Sequence, residues 1–366
     1  MKVVLLHDWL TGFRGGERVL EALCELYPDA PIYTLLHKQG STSPIIESRE
    51  IITSFLNKFS HIHEDYRKYL PLMPLAAEKL KIHHEADLII SSSHCVIKGV
   101  QKPLNSKHMC YIHSPMRYIY DQFDSYFGHT SFPVKTAAHL VRPYLKFWDR
   151  QSNHNVDLFV ANSTFVANRV NLFYDRDAKV VNPFVDLKDF YSLQKNPLKK
   201  ESHFLMVSAF APNKRIDLAI EAFKQLGPDF KLKIIGSGSK DEINKLQALA
   251  APNVEFLGNV GRQEIVEAFF KAKAFIFPGI EDFGITPLES MAAGTPVIAF
   301  KAAGVLDTLT EDTAKFFYKQ DIQSLINAIK EYNINNYSVD KLHEQANAFS
   351  KETFMAHINK LSDGLI

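Results

Sequence analysis

The chain has few cysteines, no long apolar run and almost no net charge, and each scarcity removes a class of protein. Its 366 residues include three cysteines, Cys24, Cys95 and Cys110. They are odd in number, widely spaced and without zinc-type spacing. Neither a disulfide framework nor a zinc module is expected, and the usage suits a reducing cytoplasm. No apolar run approaches the roughly 20 residues of a membrane-spanning helix. The segment Met1-Lys2-Val3-Val4-Leu5-Leu6-His7-Asp8 meets charge too early for the apolar stretch of a secretion signal. The expectation is a cytoplasmic chain, with peripheral attachment to the inner membrane face left open. Formal net charge is +1, so no global field selects nucleic acid as a partner. Internal repeats and low-complexity tracts are also lacking.

What is present is the balance of a globular enzyme, 46% hydrophobic and 23% charged. The length exceeds one ordinary core and fits two α/β domains. Val3–Leu6 is a short apolar run that reads as a buried parallel strand. A loop with Gly12, Gly15 and Gly16 follows. Glu17–Leu26 then places Val19, Leu20, Leu23 and Leu26 at helical spacing. Further strands read at Asp87–Ser91, His108–Ile112 and Asp157–Val160. A polar stretch, Gln194–Ser202 with Pro197, reads as a linker. A second series begins at Phe204–Ser208 and continues near Lys231–Ile235, Val254–Leu257, Ala274–Phe277 and Pro296–Phe300, with a helix at Ile216–Leu226. The final stretch, Ser350–Leu361, sets Phe354, Ile358 and Leu361 on one helical face. Strands alternating with helices predict two doubly wound parallel sheets. In such sheets ligands bind beyond the carboxyl ends of the strands, so the residues just after each strand carry the chemistry.

Pro278-Gly279-Ile280-Glu281-Asp282-Phe283-Gly284-Ile285-Thr286-Pro287-Leu288-Glu289 is the most specific of these segments. It reads as strand end, glycine turn and helix start, with Thr286 as N-cap and Pro287 in the first turn. Free amides at such a start hold phosphate. Glu289 is either the acid of a Thr-x-x-Glu capping box or a ligand group. Glu281 has no periodic reason to be acidic. In Ala209-Phe210-Ala211-Pro212-Asn213-Lys214-Arg215 a lysine follows a strand and precedes a helix. It is either a solvated surface lysine or a cation aimed at a diphosphate. Gly236-Ser237-Gly238-Ser239 is a tight turn or an incomplete dinucleotide fingerprint. His113-Ser114-Pro115 and Arg14-Gly15-Gly16-Glu17 also follow strands.

Together these residues resemble glycosyltransferase family 4, the retaining enzymes of GT-B fold. The carriers are the Glu281–Glu289 spacing with Phe283-Gly284 and Pro287-Leu288 between, Asn213-Lys214, Leu257-Gly258 and Gly294-Thr295-Pro296-Val297. In the first half, Asp87–His94, Cys110–Tyr118 and Ala161-Asn162-Ser163 resemble a branch with bacterial mannosyltransferases of surface-polysaccharide assembly. The resemblance implies two Rossmann-like domains facing across a cleft, residues 1–185 with 348–366 on the acceptor side and 186–347 on the nucleotide-sugar side. It implies that Lys214 holds the donor diphosphate, Glu289 the ribose hydroxyls and Glu281 the donor-sugar hydroxyls. The amides of Phe283, Gly284 and Ile285 would meet sugar and phosphate, with Gly236 also on the donor side. His113 would approach the donor sugar, and Gly16 the diphosphate, from the first domain. The last helix would cross back onto the first domain. The family's arginine five residues before the lysine is replaced by Ala209, a loss of roughly ten- to a hundredfold in donor or leaving-group stabilisation. Arg14 is the candidate substitute.

The function implied is transfer of a hexose, mannose from GDP-mannose, to a glycan or lipid-linked acceptor, with no cofactor and no metal. With no evident protein nucleophile, retention suggests front-face attack, the protein positioning the reactants and neutralising charge. Asp175-Arg176-Asp177 precedes a strand rather than ending one and reads as a surface loop. His61-Ile62-His63 and His83-His84 lack converging carboxylates. The mixed stretch around Phe55, Phe59, Tyr66, Arg67, Tyr69 and Leu72 reads as ordinary amphipathic packing, with an inner-leaflet contact surface as the sharper alternative. Three rivals are a non-catalytic sugar-nucleotide binder, a GT-B-fold epimerase and a nicotinamide oxidoreductase. The incomplete glycine pattern argues against the last.

Overall fold

A computed structural model describes residues 1–59, 61–128, 130–195 and 198–366. The chain divides into two compact units, residues 1–183 with 354–366, and residues 184–353. The first unit is built on β1 (Val3–Leu10), β2 (Ile32–His37), β3 (Ile51–Thr53), β4 (Leu88–Ser93), β5 (Lys107–Ile112), β6 (Leu158–Ala161) and β7 (Ala178–Val180). They form one sheet in the order β3-β2-β1-β4-β5-β6-β7, parallel throughout. The helices used below are α1 (Gly15–Leu26), α2 (Met73–Lys79) and α3 (Phe132–Gln151). The second unit carries β8 (Phe204–Val207), β9 (Leu232–Ile235), β10 (Val254–Gly258), β11 (Ala274–Phe277), β12 (Val297–Phe300) and β13 (Ala314–Phe317). Their order is β10-β9-β8-β11-β12-β13, again all parallel. Its helices include α4 (Lys188–Lys195), α5 (Ile216–Leu226), α6 (Lys240–Leu249), α7 (Arg262–Lys271) and α8 (Ile285–Ala292). The last helix, α9 (Lys351–Asp363), begins in the second unit and packs in the first.

Short apolar runs become these strands because both sheet faces are covered. Side chains alternate across a strand. In the second sheet Leu205, Phe275 and Phe277 therefore join one buried cluster, while Phe204, Met206, Ala274 and Ile276 join another. The first sheet has the same logic, with Val4, Leu6, Cys110 and Ile112 in one core. α9 completes that unit: the Phe354 ring packs edge-on to Tyr111 at 5.6 Å, and the Tyr27 hydroxyl donates to Ser362 Oγ at 2.8 Å.

Two readings of the sequence need correction. β1 does not stop at Leu6 but runs through His7 and Asp8, both fully buried, to Leu10. The polar stretch Gln194–Ser202 is not the join between units. The division falls at Pro183, because α4 already belongs to the second core, with Phe190 buried beside Phe270. Within that stretch Asn196 and Pro197 lie outside the described residues.

Candidate functional site

Each sheet reverses its direction of winding once. The first does so between β1 and β4, the second between β8 and β11. At such a point the loops leaving two adjacent strands diverge to opposite faces and open a crevice at their carboxyl ends. The residues singled out in the sequence divide between these two places.

In the first unit, Asp8 near the end of β1 is fully buried and organises the loop after β4. Its Oδ2 accepts from the amides of His94 and Cys95, and its Oδ1 from those of Val96 and Ile97, at 2.6–2.9 Å. The ring of His94 is held 4.5 Å from Trp9, edge to face. His113 follows β5, and its Nε2 shares a 2.8 Å hydrogen bond with Ser92 Oγ. Asn162 fixes the same loop by donating to the His113 carbonyl at 3.0 Å. Burial, with the imidazoles of His94 and His7 nearby, lowers the pKa of His113 to about 3, so it is a neutral ring at ordinary pH. Gly16, in the first turn of α1, faces it: a Cβ there would lie 3.6 Å from His7 Cε1 and 3.7 Å from His113 Nε2. Glu17 returns to the Arg14 amide at 2.9 Å. Burial opposes its charge, but the His7 imidazole and that amide outweigh burial and bring its pKa down to about 2. The helix start and His113 thus meet, while the Arg14 side chain is exposed at the cap.

In the second unit the loops after β8 and β11 are sewn together. The Ile280 amide donates to the Asn213 carbonyl at 3.0 Å, and Asn213 Nδ2 donates to the Ile280 carbonyl at 3.2 Å. Gly279 makes this approach possible, since a Cβ there would sit 2.7 Å from Asn213 O and 2.8 Å from Lys214 Cα. The result is an ion pair, Lys214 Nζ to Glu281 Oε1 at 2.5 Å, with both side chains about one-fifth exposed. Arg215 turns away. Its backbone is left-handed, with φ at 51°, and its guanidinium engages Asp217 and Gln320.

The start of α8 differs from the sequence reading. The cap is Gly284, with φ at 87°, not Thr286, which lies inside the helix. Glu289 therefore closes no capping box. It is buried in the second turn, where its Oε1 accepts from Arg262 Nη1 at 2.5 Å, while Arg262 Nε donates to Asp189 at 2.6 Å. Arg262 opens α7 and lies 27 positions upstream of Glu289, so local spacing gave no sign of it. Phe283 is buried against Phe349, leaving the Gly284-Ile285 backbone at the helix mouth, where first-turn amides have no partner in the helix.

A family model described as "Glycosyl transferases group 1" matches residues 188–352, which lie within the second unit. The likeness to that family is thus a property of the second unit, over less than half of the chain. Among curated relatives, a GDP-mannose-dependent phosphatidylinositol monomannoside mannosyltransferase of Corynebacterium glutamicum is 32% identical over 32% of this chain and 34% of its own length. The O-antigen chain mannosyltransferase RfbU of Salmonella typhimurium is 30% identical over 51% of this chain and 52% of its own. The chain thus aligns with about half or less of these relatives' length. Among solved structures, sucrose-phosphate synthase of Thermosynechococcus elongatus has a TM-score of 0.77 at 19% identity, over 100% of this chain and 99% of that one. Anabaena Alr3699/HepE, solved with UDP and glucose, has 0.69 at 17%, over 100% of both. The fold is that of the GT-B glycosyltransferases.

Within the second unit, Gly236 and Gly238 have a structural reason to be glycine. A Cβ on Gly236 would fall 1.8 Å from the Ser208 carbonyl, and one on Gly238 2.7 Å from Phe210 Cβ. The β9 turn therefore presses on the loop after β8 and supports the segment that leads to Lys214. Ser239 then caps α6 by accepting from the Glu242 amide. In the first unit, the described residues of the stretch 55–73 serve largely in packing. Leu56, Ile62 and Met73 are buried, Tyr66 lies 4.9 Å from Trp9, and Phe59 and Leu72 are exposed.

Proposed function

We propose that the chain is a retaining, metal-independent hexosyltransferase that takes mannose from GDP-mannose and passes it to a glycan or lipid-linked acceptor of a surface polysaccharide. The observation that carries this reading is the joined pair of loops after β8 and β11, which set Lys214 and Glu281 together at the sheet's switch point beside the mouth of α8. A diphosphate leaving group gains charge as the glycosidic bond breaks. A lysine and a helix N-terminus stabilise that charge with little reorganisation. Lys214 meets the diphosphate by exchanging or sharing its contact with Glu281, which frees a carboxylate to accept from sugar hydroxyls. Glu289, clamped by Arg262, is held for the ribose. Gly284 and Ile285 offer backbone amides. On the first unit, His113 is a neutral imidazole able to hydrogen-bond a sugar hydroxyl without adding charge. The choice of mannose and guanine is supported by the mannosyltransferases among the relatives and by the GDP-mannose dependence named for one of them.

Calorimetry with GDP, UDP and ADP tests the base, and turnover of GDP-mannose tests the reaction. GDP is expected to bind and the other two to bind weakly. Lys214→Ala is expected to abolish transfer and slow donor hydrolysis by at least a hundredfold, the scale of a lost preorganised charge contact. Binding of UDP without GDP rejects the guanine assignment. A Lys214→Ala variant with unchanged turnover rejects the role given to Lys214, and a parent chain that transfers no sugar from any nucleotide donor rejects the transferase reading.

A further inference from the structure

The helix α3 packs Leu145, Trp148 and Val141 on the first core and also carries large apolar side chains on its outer side. At 100° per residue, Phe132, Leu140, Pro143, Tyr144 and Phe147 share an arc opposite the buried Leu145 and Asp149, with the buried Trp148 at the arc's edge. That arc faces solvent: Phe132 is 82% exposed, Leu140 77% and Phe147 66%. Single exposed apolar residues are ordinary, but several large ones aligned on one side of a 20-residue helix, broken only by Thr136, mark a contact surface. Trp148 Nε1 donates to Glu78 at 2.6 Å, tying α3 to α2, which adds the exposed Leu75.

Charge selects the occupant. From Phe132 to Trp148 the helix has no Asp or Glu, and Lys135, His139, Arg142 and Lys146 run along one flank of the ridge. Arg142 is engaged with the carbonyls of Ile119 and Tyr120. Lys146 has no ion-pair partner among the described residues. At its side a concavity of about 480 Å³ is lined by Tyr120, Asp121, Lys146, Phe147, Arg150 and Phe173. Its one carboxylate, Asp121, is paired with Arg169 at 2.8 Å. Burial, with Arg142 and Arg150 close by, lowers the pKa of Lys146, as expected for a cation crowded by cations and lacking an anion. An apolar ridge bordered by cations and a basic, aromatic-walled hollow matches the acyl boundary and phosphate layer of an anionic leaflet.

We propose that the outer face of α3 docks on a membrane leaflet rich in anionic lipid, the ridge entering the acyl boundary and the concavity taking a lipid phosphate. The proposal locates the membrane contact away from residues 55–73. It does not rest on the transferase reading, since binding is measured without donor or acceptor. The test is flotation of the full chain with vesicles of phosphatidylcholine alone and of phosphatidylcholine mixed with phosphatidylglycerol. Binding is expected only to the mixed vesicles and is weakened by high salt. Leu140→Ser with Phe147→Ser should reduce it at least tenfold, and Lys146→Gln about fivefold. Both variants should keep the parent's thermal midpoint, because these side chains are outside the core. Equal binding to neutral vesicles, no binding to either, or full binding by the Leu140→Ser/Phe147→Ser variant would overturn the proposal. So would light scattering that shows a dimer dissociated by those two substitutions, with no vesicle binding. The ridge would then be a self-association face.

Discussion

Arg262 illustrates how much of the site depends on a residue with no local motif. It is about one-third exposed, yet it is the clamp that orients Glu289 in a buried position. Removing it leaves a carboxylate without its partner. The cost is expected at about 1–2 kcal/mol, less than for a fully buried pair because water reaches the guanidinium. Arg262→Gln should therefore lower the thermal midpoint by roughly 2–6 °C and weaken nucleotide binding about fivefold or more as Glu289 loses its fixed rotamer. Unchanged affinity in calorimetry would reduce Arg262 to a purely structural role. His113 makes a contrasting prediction. Its pKa is depressed from 6.5 to about 3, so the ring takes up a proton only below the range in which the protein is assayed. Between about pH 5 and 8 the profile of kcat/KM should show no inflection from this residue. His113→Asn should lower the rate while leaving the shape of the profile unchanged. An inflection near pH 6 that disappears in the variant would show His113 to be a titrating acid–base group.

Contacts between loops decide where Lys214 stands. Gly279→Ala adds one methyl to the β11 loop at 2.7–2.8 Å from backbone atoms of Asn213 and Lys214, a distance at which backbone must move. The expected result is displacement of the Lys214 segment, with nucleotide affinity falling at least tenfold. The stability loss should stay within about 1–3 kcal/mol, as for overpacking elsewhere. Equal affinity in the variant would show that the Lys214 loop can shift without consequence. The same loop shows what local sequence conveys. β11 and α5 coincide with their expected bounds, because an apolar run ended by glycine or proline and a helical periodicity are both strong signals. β2, β3 and β13 give no clear signal in sequence, since Thr34 interrupts β2, β3 has three residues, and Lys315 sits within the four of β13. Sequence alone points to the wrong cap for α8, because Thr286-Pro287-Leu288-Glu289 fits a capping box. The chain uses instead the positive φ of Gly284, which leaves Glu289 for a distant arginine. Lys214 and Glu281 were legible by position after strands, but their 2.5 Å pairing was not. It depends on Gly279, whose role appears only when two loops far apart in sequence meet.

At the scale of the molecule, two cores and one returning helix determine how the chain unfolds. The chain's two tryptophans, Trp9 and Trp148, both lie in the first unit. Tryptophan fluorescence therefore follows that unit alone, whereas circular dichroism follows both. α9 anchors in the first unit through Phe354, which is 1% exposed and packed on Tyr111. Phe354→Ala should cost about 3–5 kcal/mol there, the usual range for emptying an aromatic core position. The fluorescence transition should fall by roughly 10 °C, although the substitution lies near the far end of the sequence from both tryptophans. Phe269→Ala, at a fully buried position of the second core, supplies the comparison. It should lower part of the dichroism transition and leave fluorescence near its original midpoint, because the two units have separate hydrophobic clusters. If both variants shift both signals equally, the two units unfold as one cooperative block, and the separate midpoints expected here are wrong.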